Sequence, residues 1–282
     1  APFDYICHVA GQVAMTTSLE NPTRYLQTNV VGTLNILEAV RQYSPDALVA
    51  YSSTNKVYGD LEWINKEETN TRFILPSYPD GFDESLPLDF SSPYGCSKGS
   101  ADQYVRDWAR VYGLKTVIFR HSSIYGGRQF ATVDQGWIGW FCQKALEQRN
   151  GYLNSQLSVQ PFTISGTGKQ VRDVLHSDDL VNLYRLAYHH RDKLRGTIFN
   201  IGGGVDNSLS LLELFNFLTE QLQMDSLSYH KLPRRTSDQD SFIASISKAK
   251  QILDWQPFVS YKQGIGKMIS WCDGLQKSNF LR

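Results

Sequence analysis

The sequence predicts an α/β fold in which a doubly wound parallel sheet is followed by a smaller C-terminal lobe. Segments typical of strands and of helices alternate along the first half of the chain, as they do in parallel sheets with helical crossovers. The apolar residues 49–51 lead into the hydroxyl residues Ser52, Ser53 and Thr54, which is typical of the carboxyl end of a strand that lines a ligand site. After Tyr125, paired glycines and a tryptophan-rich segment follow, and this change indicates a second region.

Three strands and two long helices are predicted in residues 1–125. The strands are expected at residues 4–10, 47–52 and 115–121. A helix is expected over residues 21–43, because an Asn-Pro start precedes apolar residues at helical spacing. A second helix is expected over residues 92–112. The segment 60–90 is long, polar and rich in proline, which predicts a loop of the kind that is functional or disordered.

Residues 126–282 are predicted to form mainly the smaller lobe, with returns to the first region near residues 170–201. The expected helices and strands are 135–148, 161–165, 178–189, 197–201 and 210–223. Trp137 and Trp140 are three residues apart, so both are expected in the core of the lobe. The glycines at 202–204 predict a turn, because the Lys-Ser/Thr of a phosphate loop does not follow them.

Composition argues against several kinds of partner. Lys+Arg and Asp+Glu both number 28, so no net charge attracts nucleic acid or a membrane surface. No apolar run is long enough for a transmembrane helix. The four cysteines are scattered without CxxC spacing, which favours reduced thiols and a cytoplasmic protein. Asp178 and Asp179 predict an acidic first helical turn rather than a metal site, and no metal is expected.

Tyr94 and Lys98 are the most informative residues, because their four-residue spacing places both side chains on one helix face. A free tyrosine titrates near pH ~10, and a neighbouring ammonium lowers that pKa. The pair can therefore exchange a proton with a substrate, while a hydroxyl from residues 52–54 bonds to the reacting oxygen. The alternatives are a solvated helix face for the pair and an ordinary turn for the hydroxyls.

Six blocks of sequence resemble, in order, the extended short-chain dehydrogenase/reductase family of sugar-nucleotide epimerases and dehydratases. They are residues 8–13, 29–33, 52–59, 92–98, 120–126 and 171–176. Within that family, residues 51–62, 121–132 and 134–145 look most like the branch of CDP-paratose 2-epimerases, also called CDP-tyvelose 2-epimerases. The resemblance implies a Rossmann-like NAD-binding domain over residues 1–125, a mainly substrate-binding lobe over 126–282, and a homodimer or higher homo-oligomer.

The resemblance also implies individual roles. Tyr94 is expected to be the acid/base, Lys98 to hold the nicotinamide ribose and lower the pKa of Tyr94, and Thr54 to bond to the reacting oxygen. The residues expected along the NAD cofactor are Ala10, Gly11, Asn29, Ser52, Tyr94, Lys98 and His121. The residues expected to contact the nucleotide-diphosphate sugar are Thr54, Ser123, Gln129, Asp134, Gln135, Arg172 and Arg235.

Asn55 and Lys56 favour epimerisation over dehydration. The family's 4,6-dehydratases carry Thr-Asp-Glu here, because they must also remove a proton next to the ketone and protonate the leaving hydroxyl. Asn55 can do neither, whereas an epimerase needs only reversible hydride transfer. The choice of C2 over C4 rests on the resemblance to the CDP-paratose branch, which also shares Ser123 in place of the family's usual asparagine.

Arg172 and Arg235 are expected to bind the diphosphate of the substrate. Guanidinium groups suit phosphate because they form forked hydrogen bonds. The alternative for Arg172 is a structural ion pair with its neighbour Asp173.

The beginning of the sequence resembles an internal strand, and no Gly-rich turn that could cradle a cofactor pyrophosphate occurs before a helix. We therefore expect the front of the NAD-binding domain to be missing from this sequence, which would weaken NAD binding. Two alternatives to a C2 epimerase stay open: another sugar-nucleotide 4-epimerase or reductase, and a catalytically silent fragment. A reductase, unlike an epimerase, would consume external NAD(P)H.

Overall fold

The computed structural model describes residues 2–153, 159–235 and 238–278. Its strands are β1 (Tyr5–His8), β2 (Leu48–Thr54), β3 (Glu67–Glu68), β4 (Phe73–Ile74), β5 (Lys115–His121), β6 (Ser123–Tyr125), β7 (Phe162–Ser165), β8 (Val171–His176), β9 (Thr197–Ile201), β10 (Ser208–Ser210), β11 (Tyr229–Leu232) and β12 (Ser241–Phe242). Its α-helices are α1 (Met15–Glu20), α2 (Pro22–Tyr25), α3 (Gly32–Tyr43), α4 (Ser92–Tyr112), α5 (Trp137–Leu153), α6 (Ser177–His189), α7 (Leu211–Leu222), α8 (Ser247–Leu253) and α9 (Tyr261–Lys277).

The predicted parallel sheet is present, with the strand order β1-β2-β5-β9. All three neighbouring pairs are parallel, so the carboxyl ends of the four strands meet at one edge. The register places Ser53 opposite Arg120 and Thr54 opposite His121. The hydroxyl cluster that ends β2 therefore lies beside the end of β5, at the edge where open α/β sheets bind ligands.

Both faces of this sheet are covered, as the continuous apolar character of β2 and β5 requires. One face packs against α6 and α8 in a core that includes the fully buried Trp255. The other face packs against α3 and α4 through Leu37, Ala101 and Val105. The helix α4 is thus fixed directly over the strands whose ends carry the hydroxyl cluster.

A second region is built around α5, α7 and α9, which share one apolar core. It also contains the parallel pair of β7 and β11. Strand β8 pairs with β6, β10 and β12 in a separate sheet. The domain boundary after residue 125 stays a prediction.

The predicted helix over residues 21–43 is a continuous helical run with a π-helical segment, Leu26–Val31, between α2 and α3. Asn21 caps its beginning by accepting a hydrogen bond from the Arg24 N–H. Such π turns are concentrated at functional sites, and this one carries the buried side chain of Asn29. The sequence pattern does not reveal it, because the apolar spacing is unchanged.

Several helices differ from the prediction. Helix α5 runs to Leu153 rather than ending at residue 148, and part of the loop expected at residues 149–159 lies outside the described residues. Helices α1, α8 and α9 were not predicted. Ser210 caps α7 as predicted and forms a reciprocal capping box with Glu213.

Among the described residues, no helix has the length and hydropathy of a transmembrane span. All four cysteines are free, with Cys7 and Cys96 exposed and Cys142 and Cys272 buried. Within the same described ranges, no group of three or more His, Cys, Asp or Glu side chains is arranged to hold a metal ion.

Candidate active site

A cavity of about 600 Å³ lies at the carboxyl ends of β2 and β5, between the central sheet and the second region. We call it the central cavity. Of the predicted site residues, those that line it are Ser52, Thr54, Tyr94, His121, Ser123, Gln129, Asp134, Gln135, Arg172 and Arg235. A groove of about 720 Å³ between residues 77–85 and 245–251 contains none of the predicted residues.

Tyr94 stands at the wall of the central cavity, in the first turn of α4. Its pKa is raised by burial, and a hydrogen bond with the Thr54 side chain acts in the opposite direction. The Thr54 hydroxyl is buried and also accepts a hydrogen bond from the Lys56 N–H at 3.2 Å. The predicted acid/base and the predicted hydroxyl partner thus line the same cavity.

Lys98 lies one turn further along α4, but its ammonium does not bond to the Tyr94 hydroxyl. It donates to the Ser52 carbonyl oxygen and lies 4.4 Å from the centroid of the Tyr51 ring. Burial lowers the pKa of Lys98 to about 8, and the charge of Asp102 opposes that change. The expected lowering of the Tyr94 pKa by Lys98 is therefore not found, because burial dominates at Tyr94 and the ammonium is directed at the end of β2.

A buried ion pair links α4 to the ends of β2 and β5. The Asp102 carboxylate, one turn after Lys98 on α4, accepts hydrogen bonds from Arg120 Nε and Nη2, both at 2.9 Å. It also accepts one from Ser53 Oγ at 2.7 Å. We call Ser53, Asp102 and Arg120 the sealed cluster, because none is more than 4 % exposed. The sequence analysis did not predict this cluster, although the position of Asp102 one helical turn after Lys98 could have indicated it.

A second group beside Lys98 contains three residues expected along the cofactor. The Asn29 amide donates to Ser97 Oγ at 2.9 Å and to the Gln12 carbonyl oxygen at 3.0 Å. A Cβ atom placed on Gly11 would lie 3.0 Å from Asn29 Oδ1 and 3.8 Å from Lys98 Nζ. Glycine therefore keeps the space beside this group open. Ala10 is exposed next to it.

His121 is buried at the end of β5 and lines the central cavity. Its Nε2 lies 3.5 Å from the Tyr184 hydroxyl, while its Nδ1 has no hydrogen-bond partner among the described residues. Burial, with the nearby charge of Lys98, lowers its pKa to about 3, so the ring is neutral at pH 7. An unpaired buried nitrogen at a cavity wall is suited to a polar group of a ligand.

The opposite wall of the cavity comes from the segment before α5 and from α5 itself. Ser123 Oγ accepts a hydrogen bond from Trp137 Nε1 at 3.1 Å. Gln135 donates to the Val13 carbonyl oxygen at 2.8 Å, and Gln129 Oε1 has no partner among the described residues. Trp137 and Trp140 pack against the core as predicted, but both also line the cavity.

Arg172 does not pair with Asp173, so the alternative of a neighbouring ion pair is wrong. Successive side chains of a strand point to opposite faces, and both residues lie in β8. The Asp173 carboxylate is fully buried and accepts hydrogen bonds from the backbone N–H groups of Gly204 and Ala244. Arg172 instead faces the cavity and donates to Asp238 Oδ1 at 2.8 Å.

Lys56 reaches the same carboxylate. Its Nζ lies 3.5 Å from Asp238 Oδ1, so one carboxylate oxygen serves two cations. We call Lys56, Arg172 and Asp238 the cavity cluster, because all three line the central cavity. Arg235 lines the same end of the cavity and donates to Ser165 Oγ at 3.2 Å.

Asn55 lines the central cavity, and its side chain is bonded to protein. Its amide donates to Gln239 Oε1 at 2.9 Å, and Gln239 Nε2 donates to the Gly59 carbonyl oxygen at 2.7 Å. Gln239 is fully buried. This clamp fixes the segment that carries Asp238 against the turn that carries Lys56.

Comparison with known proteins identifies the family. The sequence pattern described as the NAD dependent epimerase/dehydratase family matches residues 1–202. The chain belongs to this family. CDP-paratose 2-epimerase from Salmonella typhi is 57% identical over 272 residues, which cover 96% of this chain and 78% of that protein.

Solved structures of family members have the same fold. UDP-glucose 4-epimerase from Thermotoga maritima, solved with UDP-glucose, is 28% identical with a TM-score of 0.78, over 97% of this chain and 78% of that one. UDP-glucose 4-epimerase from Thermus thermophilus, solved with NAD, is 25% identical with a TM-score of 0.75, over the same shares of the two chains. The predicted family, Rossmann-like fold class and NAD cofactor are thereby confirmed.

Proposed function

We propose that this chain epimerises a CDP-linked sugar at C2, interconverting CDP-paratose and CDP-tyvelose. The identity of 57% with the Salmonella typhi CDP-paratose 2-epimerase supports this substrate. The observation that carries the proposal is that Tyr94 and Thr54 line the same cavity as Arg172 and Arg235. In this arrangement, a substrate in the cavity contacts the proposed proton-transfer residues and the proposed phosphate-binding arginines at the same time.

Tyr94 is the acid/base in this proposal. It takes the proton from the hydroxyl of the reacting carbon and returns it to the ketone oxygen when that carbon is reduced again. Burial favours the neutral phenol, whereas the bond with Thr54 favours the phenolate. These opposed effects suit a group that must both accept and donate a proton. Thr54 also orients the reacting oxygen.

The residues beside Lys98 fit a nicotinamide cofactor. The open space at Gly11, the polar side chains of Asn29 and Lys98, and the unpartnered Nδ1 of His121 offer a cradle with donors and acceptors. Ala10 and Ser52 border the same region in the proposal. When bound, NAD supplies a hydride acceptor and afterwards a hydride donor for the sugar carbon. Lys98 holds the ribose through its ammonium.

Epimerisation is favoured over dehydration by the two residues after Thr54. A dehydratase needs an additional acid and base at the reacting sugar. Here the Asn55 amide is bonded to Gln239, and Lys56 pairs with Asp238. Neither Asn55 nor Lys56 offers a carboxylate. These two residues therefore support epimerisation by hydride transfer, without the loss of water that a dehydratase catalyses.

The substrate is oriented in this proposal by the two ends of the cavity. Arg172 and Arg235 bind the diphosphate, and both guanidinium groups already lie at the cavity wall. Ser123, Gln129, Asp134 and Gln135 face the sugar from the opposite wall. Sugar hydroxyls require such a mixture of donors and acceptors.

The test is proton NMR of CDP-paratose incubated with the purified protein in deuterated buffer. We expect CDP-tyvelose to form without added reduced cofactor, and the hydrogen at C2 to be retained, because it is carried as hydride rather than exchanged with solvent. Deuterium at C2, or strict dependence on added NAD(P)H, would contradict this mechanism. Conversion of UDP-glucose to its 4-epimer in place of this reaction would favour the 4-epimerase alternative.

We further propose that the enzyme acts in the cytoplasm as a homodimer. Four free cysteines support a reducing compartment. The outer faces of α3 and α4 expose Tyr43, Tyr104, Val111 and Tyr112, and exposed apolar patches of this kind are typical of subunit contacts. Sedimentation velocity tests the dimer, and a monomer at micromolar concentration would contradict it.

A further inference from the structure

We propose that Lys56 is a specificity-determining residue that contacts the substrate phosphate next to the sugar. The proposal rests on the proposed function, because it takes a nucleoside-diphosphate sugar as the ligand of the central cavity. Lys56 lies between the reacting groups and the phosphate-binding arginines. It therefore distinguishes a diphosphate from a monophosphate.

The position of Lys56 is fixed by the catalytic residues themselves. It belongs to a short 3₁₀ turn, Asn55–Tyr58, that Thr54 caps by accepting the Lys56 N–H. The first turn of α4 packs on the other side, since a Cβ placed on Gly95 would lie 3.1 Å from the Lys56 carbonyl oxygen. The start of the Lys56 side chain is thus held within one turn of Thr54 and beside Tyr94.

The far end of the side chain reaches the phosphate end of the cavity. Its Nζ and the Arg172 guanidinium meet at Asp238 Oδ1, at 3.5 Å and 2.8 Å. The Lys56 side chain is 17% exposed and lines the cavity, so it is accessible to a ligand. The cluster carries two cations and one carboxylate, and Arg235 adds another cation at the same end.

This excess of positive charge suits an anion with more than one charge. A diphosphate presents one phosphate to the nucleoside and one to the sugar. The arginines form forked bonds with phosphate oxygens, whereas a lysine ammonium acts as a point charge. Because Lys56 is anchored beside Thr54, it is the cation of this cluster that lies nearest in sequence to the reacting groups, and the sugar-side phosphate is its natural partner.

The chain contains a matched control outside the cavity. Lys66 and Arg234 both pair with Asp240, two residues after Asp238, in the same arrangement of two cations on one carboxylate. Lys66 and Asp240 are not among the residues lining the central cavity. The two lysines therefore share a type of ion pair and differ in access to the ligand.

The experiment compares Lys56→Met, Lys66→Met and Lys56→Arg with the wild type by calorimetric binding of CDP and of CMP. A charge-assisted hydrogen bond contributes about 1.5–3 kcal/mol, so Lys56→Met should weaken CDP binding by about 10-fold to 100-fold. CMP, which lacks the second phosphate, should lose about threefold or less. Lys56→Arg should retain most of the preference for CDP, and Lys66→Met should bind both nucleotides like the wild type.

The pH dependence of CDP binding provides a second readout. Burial lowers the pKa of Lys56 to about 8, with Arg172 acting in the same direction and Asp238 and Asp60 opposing it. Its charge is therefore lost as the pH rises through that value. Wild-type CDP binding should weaken there, and Lys56→Met should lack that step.

The outcomes separate the two proposals. Equal CDP affinity of wild type and a folded Lys56→Met, or equal losses for CDP and CMP, overturns the role of Lys56 alone. If Lys56→Met does not fold, two other measurements test the role of Lys56. These are the preference of Lys56→Arg for CDP over CMP and the weakening of wild-type CDP binding as the pH rises through about 8. If neither is observed, the inference is overturned. A wild type that binds no CDP overturns the proposed substrate as well.

Discussion

The sealed cluster and the cavity cluster are each built around an ion pair of one aspartate with one arginine, but the two pairs have different surroundings. In the first, Asp102 pairs with Arg120 and lies close enough to Lys98 to influence its pKa. In the second, Asp238 lies between Arg172 and Lys56. The Arg120 and Asp102 side chains are 2% and 0% exposed, whereas those of Arg172 and Asp238 are 14% and 23% exposed.

This difference in exposure separates positioning from binding. Both Asp102 oxygens are occupied, one by Arg120 and Ser53 and the other by Arg120 and Gln103. Neither Asp102 nor Arg120 lines the central cavity, so their ion pair holds α4 against the ends of β2 and β5. The cavity cluster faces open space, so its cations can exchange Asp238 for a ligand anion.

The largest expected effect comes from breaking the sealed cluster with Arg120→Met. Removal of one partner leaves Asp102 buried without its countercharge, which should lower the free energy of unfolding by about 3–5 kcal/mol. The matched change Arg172→Met should cost about 1 kcal/mol or less, because water reaches Asp238. Denaturant unfolding of both variants measures the difference. If both variants lose the same free energy of unfolding, solvent exposure does not determine how much each ion pair contributes to stability.

A smaller effect is expected from Ser53→Ala, which removes the hydrogen bond between Ser53 Oγ and Asp102. A bond to a charged group contributes about 1.5–3 kcal/mol, so unfolding should become easier by that amount. Because Ser53 lies between Ser52 and Thr54, kcat should fall while KM for the nucleotide sugar stays near the wild-type value. Steady-state kinetics provide the check, and a rise in KM with unchanged kcat would argue against positioning.

A pH-dependent effect is expected from Lys98, because burial lowers its pKa. Its pKa is lowered from 10.5 to about 8, so between these values the unfolded chain retains a proton that the folded protein has released. The contribution of Lys98 to the free energy of unfolding therefore rises with pH across this window. Relative to Lys98→Met, the wild type should gain stability as the pH is raised from 8 to 10. If the difference in free energy of unfolding between the wild type and Lys98→Met falls between pH 8 and 10, the pKa of Lys98 is not lowered by burial.

The regular elements were predictable where burial leaves a clear pattern. Strands β5 and β9 have the predicted bounds, because their apolar runs are covered on both faces. Helix α9 escaped prediction, since Gly264, Gly266 and Gly274 weaken its helical signal. The π turn at Leu26–Val31 also has no counterpart in residue spacing.

The proposed acid/base pair could be recognised in the sequence because its two residues are close together there, whereas the residues of the clusters are far apart in sequence. Tyr94 and Lys98 share one helix, and Thr54 ends a recognisable strand. Lys56 and Asp238 meet only because β8 and the clamp of Asn55 with Gln239 bring distant segments together. The ion pair of the neighbours Arg172 and Asp173, which the sequence offered as an alternative, is wrong because successive residues of a strand face opposite sides.

The most direct test of the proposed mechanism is the turnover of Tyr94→Phe with CDP-paratose, measured by proton NMR beside that of Tyr104→Phe on the same helix. Loss of proton transfer should reduce turnover by about 10²-fold to 10⁴-fold, with NAD content and unfolding unchanged, and Tyr104→Phe should retain wild-type turnover. If Tyr94→Phe turns over within a few-fold of the wild type, Tyr94 is not the acid/base and the proposed mechanism is wrong.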